Sequence, residues 1–135
     1  MAMKIEEIEG IGPAFAAKLT AAGITTVEGL LEACGAAKGR KEIAEKSGIT
    51  ETLILKWTNH ADLIRINGIG PQYAELLEAA GVDTVKELKH RNAENLTAKI
   101  KEVNDAKSLT GNVPSVAAVQ KWIDEAKTLE PKVSH

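Results

Sequence analysis

The chain has 135 residues, a net charge of −2 and a pI near 5.9, so it is long enough to bury a core without disulfide or metal staples. A single cysteine excludes a disulfide framework and a thiolate zinc cluster, and a near-neutral, slightly acidic balance argues against a highly basic nucleic-acid module. No run of 18 apolar residues is present, the start "MAMKIEEIEG" lacks an apolar h-region, and aromatics are only 3%; these features predict a cytoplasmic, helix-rich chain.

The first element opens at "IEGIGPAF", Ile8 to Phe15. Pro13 suits a first helical position, where the missing N–H costs nothing, and Gly23 predicts the helix's end. Thr25-x-x-Glu28 then reads as a capping box for a second helix. "AKGRKEIAEKSG" predicts a third, ending at Gly48, and Thr50 caps a fourth carrying Leu53, Trp57, Ala61 and Ile64 on one stripe. The pattern then restarts. Shifted by 58 residues, Ile8–Ala33 aligns with Ile66–Arg91 at 13 of 26 identical positions, including Gly10/Gly68, Gly12/Gly70, Pro13/Pro71 and Gly23/Gly81. Thr84-x-x-Glu87 repeats the capping box. At an offset of 65, "LKWTNHADLI" aligns with "QKWIDEAKTL", pairing Trp57 with Trp122, so seven residues are inserted between Arg91 and Val119. Ser115 opens the last helix, with Val116, Val119, Ile123 and Ala126 expected inward. The expectation is an all-α fold of about eight to ten short helices. Two repeats, 3–63 and 64–130, would pack with pseudo-two-fold symmetry, and a polar tail would follow at 131–135.

The repeated Gly-Ile-Gly is the feature with chemistry in it. Glycines there permit positive φ and close backbone approach, and the next helix begins with unpaired N–H groups at its positive end. Such a bend suits an anion, and equally suits a tight connector that lets the repeats pack. The pattern apolar-x-Gly-apolar-Gly-x-x-x-Ala-x-x-Leu, at Ile8–Leu19 and Ile66–Leu77, resembles the helix-hairpin-helix motif of DNA repair and replication proteins. Over nearly the whole chain, the order of these motifs resembles the domain-of-unknown-function family 4332, held to be distantly related to those proteins. The resemblance implies a sequence-independent grip on nucleic-acid phosphates by the backbone of Gly10, Ile11 and Gly12, and of Gly68, Ile69 and Gly70. The expected basic residue after the second glycine is missing from both copies, and Glu9 stands before the first pair. The second copy, with Asn67 and with Lys86, Lys89 and Arg91 nearby, is therefore the stronger phosphate candidate.

Other features compete. Lys38, Arg40 and Lys41 form the densest positive patch, which also reads as a solvated helix start. "IAEKSGITETLILKW" has a helix-turn-helix rhythm that would face Glu51, Thr52, Lys56 and Asn59 toward a major groove. Phe15 and Tyr73 read as base-stacking rings or, more simply, as core packing four residues before Leu19 and Leu77. The histidines show no metal spacing and no nucleophile motif is present, so no enzyme, cofactor or small-molecule substrate is expected. The expected function is a non-catalytic module that binds nucleic acid, DNA first, weakly and without sequence preference through the hairpin backbone amides; the alternative is a protein-interaction scaffold that has lost the phosphate grip.

Overall fold

A computed structural model describes residues 3–135. Among them the chain forms eight α-helices: α1 Pro13–Ala21, α2 Val27–Cys34, α3 Ala37–Ser47, α4 Glu51–Ile64, α5 Pro71–Ala79, α6 Val85–Leu88, α7 Ala93–Lys107 and α8 Val116–Ala126. A 3-10 turn at Ile5–Glu7 precedes them, and an isolated antiparallel bridge joins Lys4 to Thr26. The fold is all-α.

The chain divides into two compact units, Met1–Asp62 with Lys132–His135, and Leu63–Pro131. In the first, Ile5, Ile8, Leu19, Leu30, Ile54 and Trp57 are fully buried. The second is centred on Leu77, Val82, Leu88, Leu96, Ile100, Val119 and Ile123, with Tyr73 and Val103 packed at its edge. Burying each such side chain contributes roughly 1.5–3 kcal/mol.

The helix boundaries follow local chemistry. Pro13 and Pro71 stand first in α1 and α5, and Gly23 and Gly81 follow each helix by two residues. In the second copy Thr84 caps α6 by accepting from Glu87 N, and Thr50 accepts from Leu53 N at the head of α4. The first copy differs from expectation: the cap of α2 is Thr26, which accepts from Gly29 N at 2.9 Å. Thr26, and not Thr25, aligns with Thr84 at the 58-residue offset. Ser115 caps α8 as its sequence predicts, accepting from Ala118 N, and Val119, Ile123 and Ala126 are buried. Val116 departs, at 43% exposed, because the buried stripe of α8 begins only at its second turn.

The inserted residues lengthen one helix and add a loop. α7 has 15 residues where α3 has 11, and it ends in a left-handed Ser108. The following loop is pinned by Asn104, whose Nδ2 donates to Thr110 O and whose Oδ1 accepts from Thr110 N.

The tail also departs from the sequence reading. Val133 is buried, and Ser134 N donates to Gly35 O at 2.8 Å. Ser134 O also accepts from Arg40 Nη2, so a buried side chain and two hydrogen bonds dock the tail.

Candidate functional site

Each Gly-Ile-Gly forms a hairpin between a buried isoleucine and a helix. Gly10 and Gly68 adopt φ +93° and +94°, a region that costs a side-chain-bearing residue roughly 1–3 kcal/mol. A second reason for glycine lies beside them. A Cβ at Gly10 would stand 3.4 Å from Trp57 Nε1, and one at Gly68 would stand 3.0 Å from Trp122 Nε1. The indole of each repeat's last helix therefore packs where the missing side chain would be. Phe15 meets Trp57 edge-on at 5.0 Å, and Tyr73 meets Trp122 at 5.3 Å with a 51° tilt. These rings are half-buried against tryptophan, the packing arrangement and not an open stacking platform.

The main-chain donors sort into two groups. Ile11 N donates to Ile8 O and Ile69 N to Ile66 O, both at 3.1 Å. The amides of Ile11 and Ile69, expected in a phosphate grip, thus close the turn, while their side chains are buried. Gly12 and Gly70 are helix N-caps with extended backbone. Among the described residues no main-chain carbonyl takes the N–H of Gly12, Ala14 or Phe15, nor that of Gly70, Gln72 or Tyr73. Both helices therefore present the donors that a helix start leaves over.

Carboxylate residues border both hairpins. The first hairpin borders a surface depression of about 420 Å³ lined by Glu6, Glu7, Ile8, Glu9, Gly10, Ile11 and Gly12. At the second, Asn67 N donates to both carboxylate oxygens of Glu125 at 3.3 Å. An anion from α8 already sits against the copy that lacks Glu9. In the alignment of α4 with α8, Glu125 corresponds to His60. The pairing of α4 with α8 in sequence does not by itself place Glu125 at the hairpin amide.

The basic candidates are dispersed. Arg40 is only 5% exposed; its Nη1 donates to Cys34 O and Gly35 O, and its Nη2 to Ser134 O at 2.6 Å. It caps the carbonyl end of α2 and is withdrawn from any surface patch, leaving Lys38 and Lys41 exposed without it. Arg91 donates to Gly81 O at 3.4 Å and lies 3.8 Å from Glu87. Lys86 is exposed and Lys89 partly so. The helix-turn-helix reading loses Asn59, which is buried on α4. Burial also pushes the Cys34 thiol up to about 11, with Arg40 and Thr58 opposing the shift; a neutral, enclosed thiol is a poor nucleophile. Among the described residues no group of three or more His, Cys, Asp or Glu is arranged to hold a metal. No helix of the described chain is long and apolar enough to cross a membrane.

The family model described as Domain of unknown function (DUF4332) matches residues 9–129. The chain belongs to this family. No curated protein and no solved structure matches it. The DUF4332 match takes in both hairpin glycine pairs and both tryptophans, and stops short of the docked tail at Lys132–His135.

Proposed function

We propose that this DUF4332 chain is a non-catalytic binding module of helix-hairpin-helix type whose partner is a protein and not a nucleic-acid backbone. One observation carries the reading: acidic residues border both hairpins, Glu6, Glu7 and Glu9 lining the depression at the first and Glu125 accepting from Asn67 N at the second. Phosphates approaching there meet like charge, and like charges juxtaposed across an interface select against that partner. Of the six basic candidates, Arg40 is engaged inside the fold and Arg91 is held at the surface by Gly81 O and Glu87. A partner with Lys or Arg at its contact surface fits the first hairpin better.

A nucleic-acid reading keeps one favourable observation, the N–H groups of Gly70, Gln72 and Tyr73 with exposed Lys86 in the same repeat. Anisotropy titration of labelled duplex and single-stranded DNA and of RNA, across salt, separates the two. The protein reading expects no saturable binding at low salt. Saturable duplex binding with a log–log salt slope near −3.6, the signature of about four phosphate contacts, overturns it. Its positive arm is co-purification from the native organism with the wild type and with Glu6→Lys/Glu7→Lys/Glu9→Lys; the triple variant is expected to lose the partner.

A further inference from the structure

The tail Lys132–His135 belongs to the first unit, and its seat is built like a peptide-recognition site. Ser134 offers both its backbone groups. Its N–H donates to Gly35 O at 2.8 Å, and its carbonyl accepts from Arg40 Nη2 at 2.6 Å. Between Lys132 and Ser134, which are exposed, Val133 turns inward and is 8% exposed.

The floor of the seat is bare backbone. A Cβ on Gly35 would collide with the carbonyl oxygen of Lys132, and one on Gly39 with the carbonyl of Ala33. Neither glycine has a positive φ, so both are explained by close approach: Gly39 lets α3 lie against the end of α2, and Gly35 admits the tail. Arg40 forms the wall. Its guanidinium is buried and is shared among three carbonyl oxygens, two belonging to α2's C-terminal end and one to the tail. Withdrawing the tail would strip a buried cation of an acceptor, and such a group left unsatisfied is costly. The seat therefore favours being filled.

We propose that Gly35 and Arg40 form a peptide-binding slot that residues 132–134 occupy in cis. Its ligand class is an extended segment with a β-branched apolar side chain at the Val133 position, followed by a residue with a free N–H and C=O. Backbone pairing supplies affinity and the single inward side chain supplies selectivity. The flanking side chains face solvent, so their identity matters little. A short tether holds the tail at an effective concentration of roughly millimolar, which a free ligand must exceed unless the tail is weakened. This slot is independent of the hairpins and of the reading proposed for them.

The test uses the full chain and the labelled peptide Pro-Lys-Val-Ser-His. Ser134→Pro removes the N–H that pairs with Gly35 and loosens the tail without altering the slot. We expect this variant to bind the peptide roughly tenfold more tightly than the wild type, and to ignore the same peptide carrying Asp in place of Val. A variant that keeps the wild-type circular dichroism yet binds no better overturns the proposal, as does equal binding of the Asp peptide. Should Ser134→Pro misfold, the wild type answers alone. Unlabelled peptide at about 5 mM, above the tether's effective concentration, should shift the Ser134 amide resonance saturably toward its solvent-exposed position. An unmoved resonance overturns the proposal equally.

Discussion

The two hairpins share a backbone and differ in what surrounds it. Gly10 and Gly68 agree in φ to one degree, and Gly12 and Gly70 cap their helices with ψ of −176° and −172°. Each pair is backed by a tryptophan and an aromatic neighbour. Their rims diverge. The first carries Glu9 in its own loop; the second carries Asn67, and receives its carboxylate from Glu125 on α8. The first ring, Phe15, has Lys18 Nζ 5.9 Å above it; the second, Tyr73, is tied to the inserted loop through Asn112 O. What the turn and the core demand has been kept in both copies. The solvent edges differ, although a carboxylate residue borders each hairpin.

The largest effects fall on the shared part. Trp57→Ala and Trp122→Ala should each cost about 3–5 kcal/mol, the range for deleting a buried indole, read as loss of amide-exchange protection within the unit that holds the residue. Similar losses in both support one architecture used twice; a cost below about 1 kcal/mol at either would break the equivalence. Next come the glycines. Gly10→Ala and Gly68→Ala should each cost about 1–3 kcal/mol for the positive φ. Gly68→Ala should be the worse, since its Cβ would meet Trp122 Nε1 at 3.0 Å where Gly10's meets Trp57 at 3.4 Å. Urea midpoints compare them directly, and Gly10→Ala proving the more damaging would contradict the packing argument.

Much of this was legible because repeats are legible. The Gly-Ile-Gly-Pro spacing, the helix starts at Pro13 and Pro71 and the tryptophan pairing all lie in the primary sequence, and each has a local cause. What stayed hidden depends on contacts distant along the chain. Arg40 reads as surface charge because nothing local announces that Ser134, 94 residues later, will take its proton donor. Glu125 is 58 residues from the amide it meets. Thr26 is the instructive case, since the repeat register already pointed to it. The capping-box pattern at Thr25 competed, and the backbone resolved the choice by giving Thr26 the extended N-cap conformation.

That choice yields a smaller prediction. Thr26→Ala should destabilise by about 1 kcal/mol through loss of the bond to Gly29 N, and Thr84→Ala should cost less, because its bond to Glu87 N is 3.4 Å against 2.9 Å. Thr25→Ala serves as the control: its side chain is exposed, and its backbone carbonyl, which accepts from Ile5 N, survives the change. Thermal melts that rank Thr25→Ala above Thr26→Ala would restore the capping box at the earlier residue.

The smallest effect isolates the one rim feature created by the insertion. Tyr73 Oη donates to Asn112 O at 2.8 Å, and this bond is exposed. Phe15, at the same position of the first copy, has no hydroxyl and faces no inserted loop. Tyr73→Phe therefore makes the second ring like the first while sparing its contact with Trp122. An exposed neutral hydrogen bond contributes about 0.5–1.5 kcal/mol, and the low end applies because water replaces the lost donor. Stability should thus change by about 0.5 kcal/mol, while amide exchange quickens across residues 109–113. The Asn104–Thr110 pair still anchors the loop's near end, so exchange at Thr110 should rise less than at Val113. Uniform acceleration across the loop would mean that Asn104 does not hold it independently, and that the tyrosine hydroxyl is the clasp of the whole insertion.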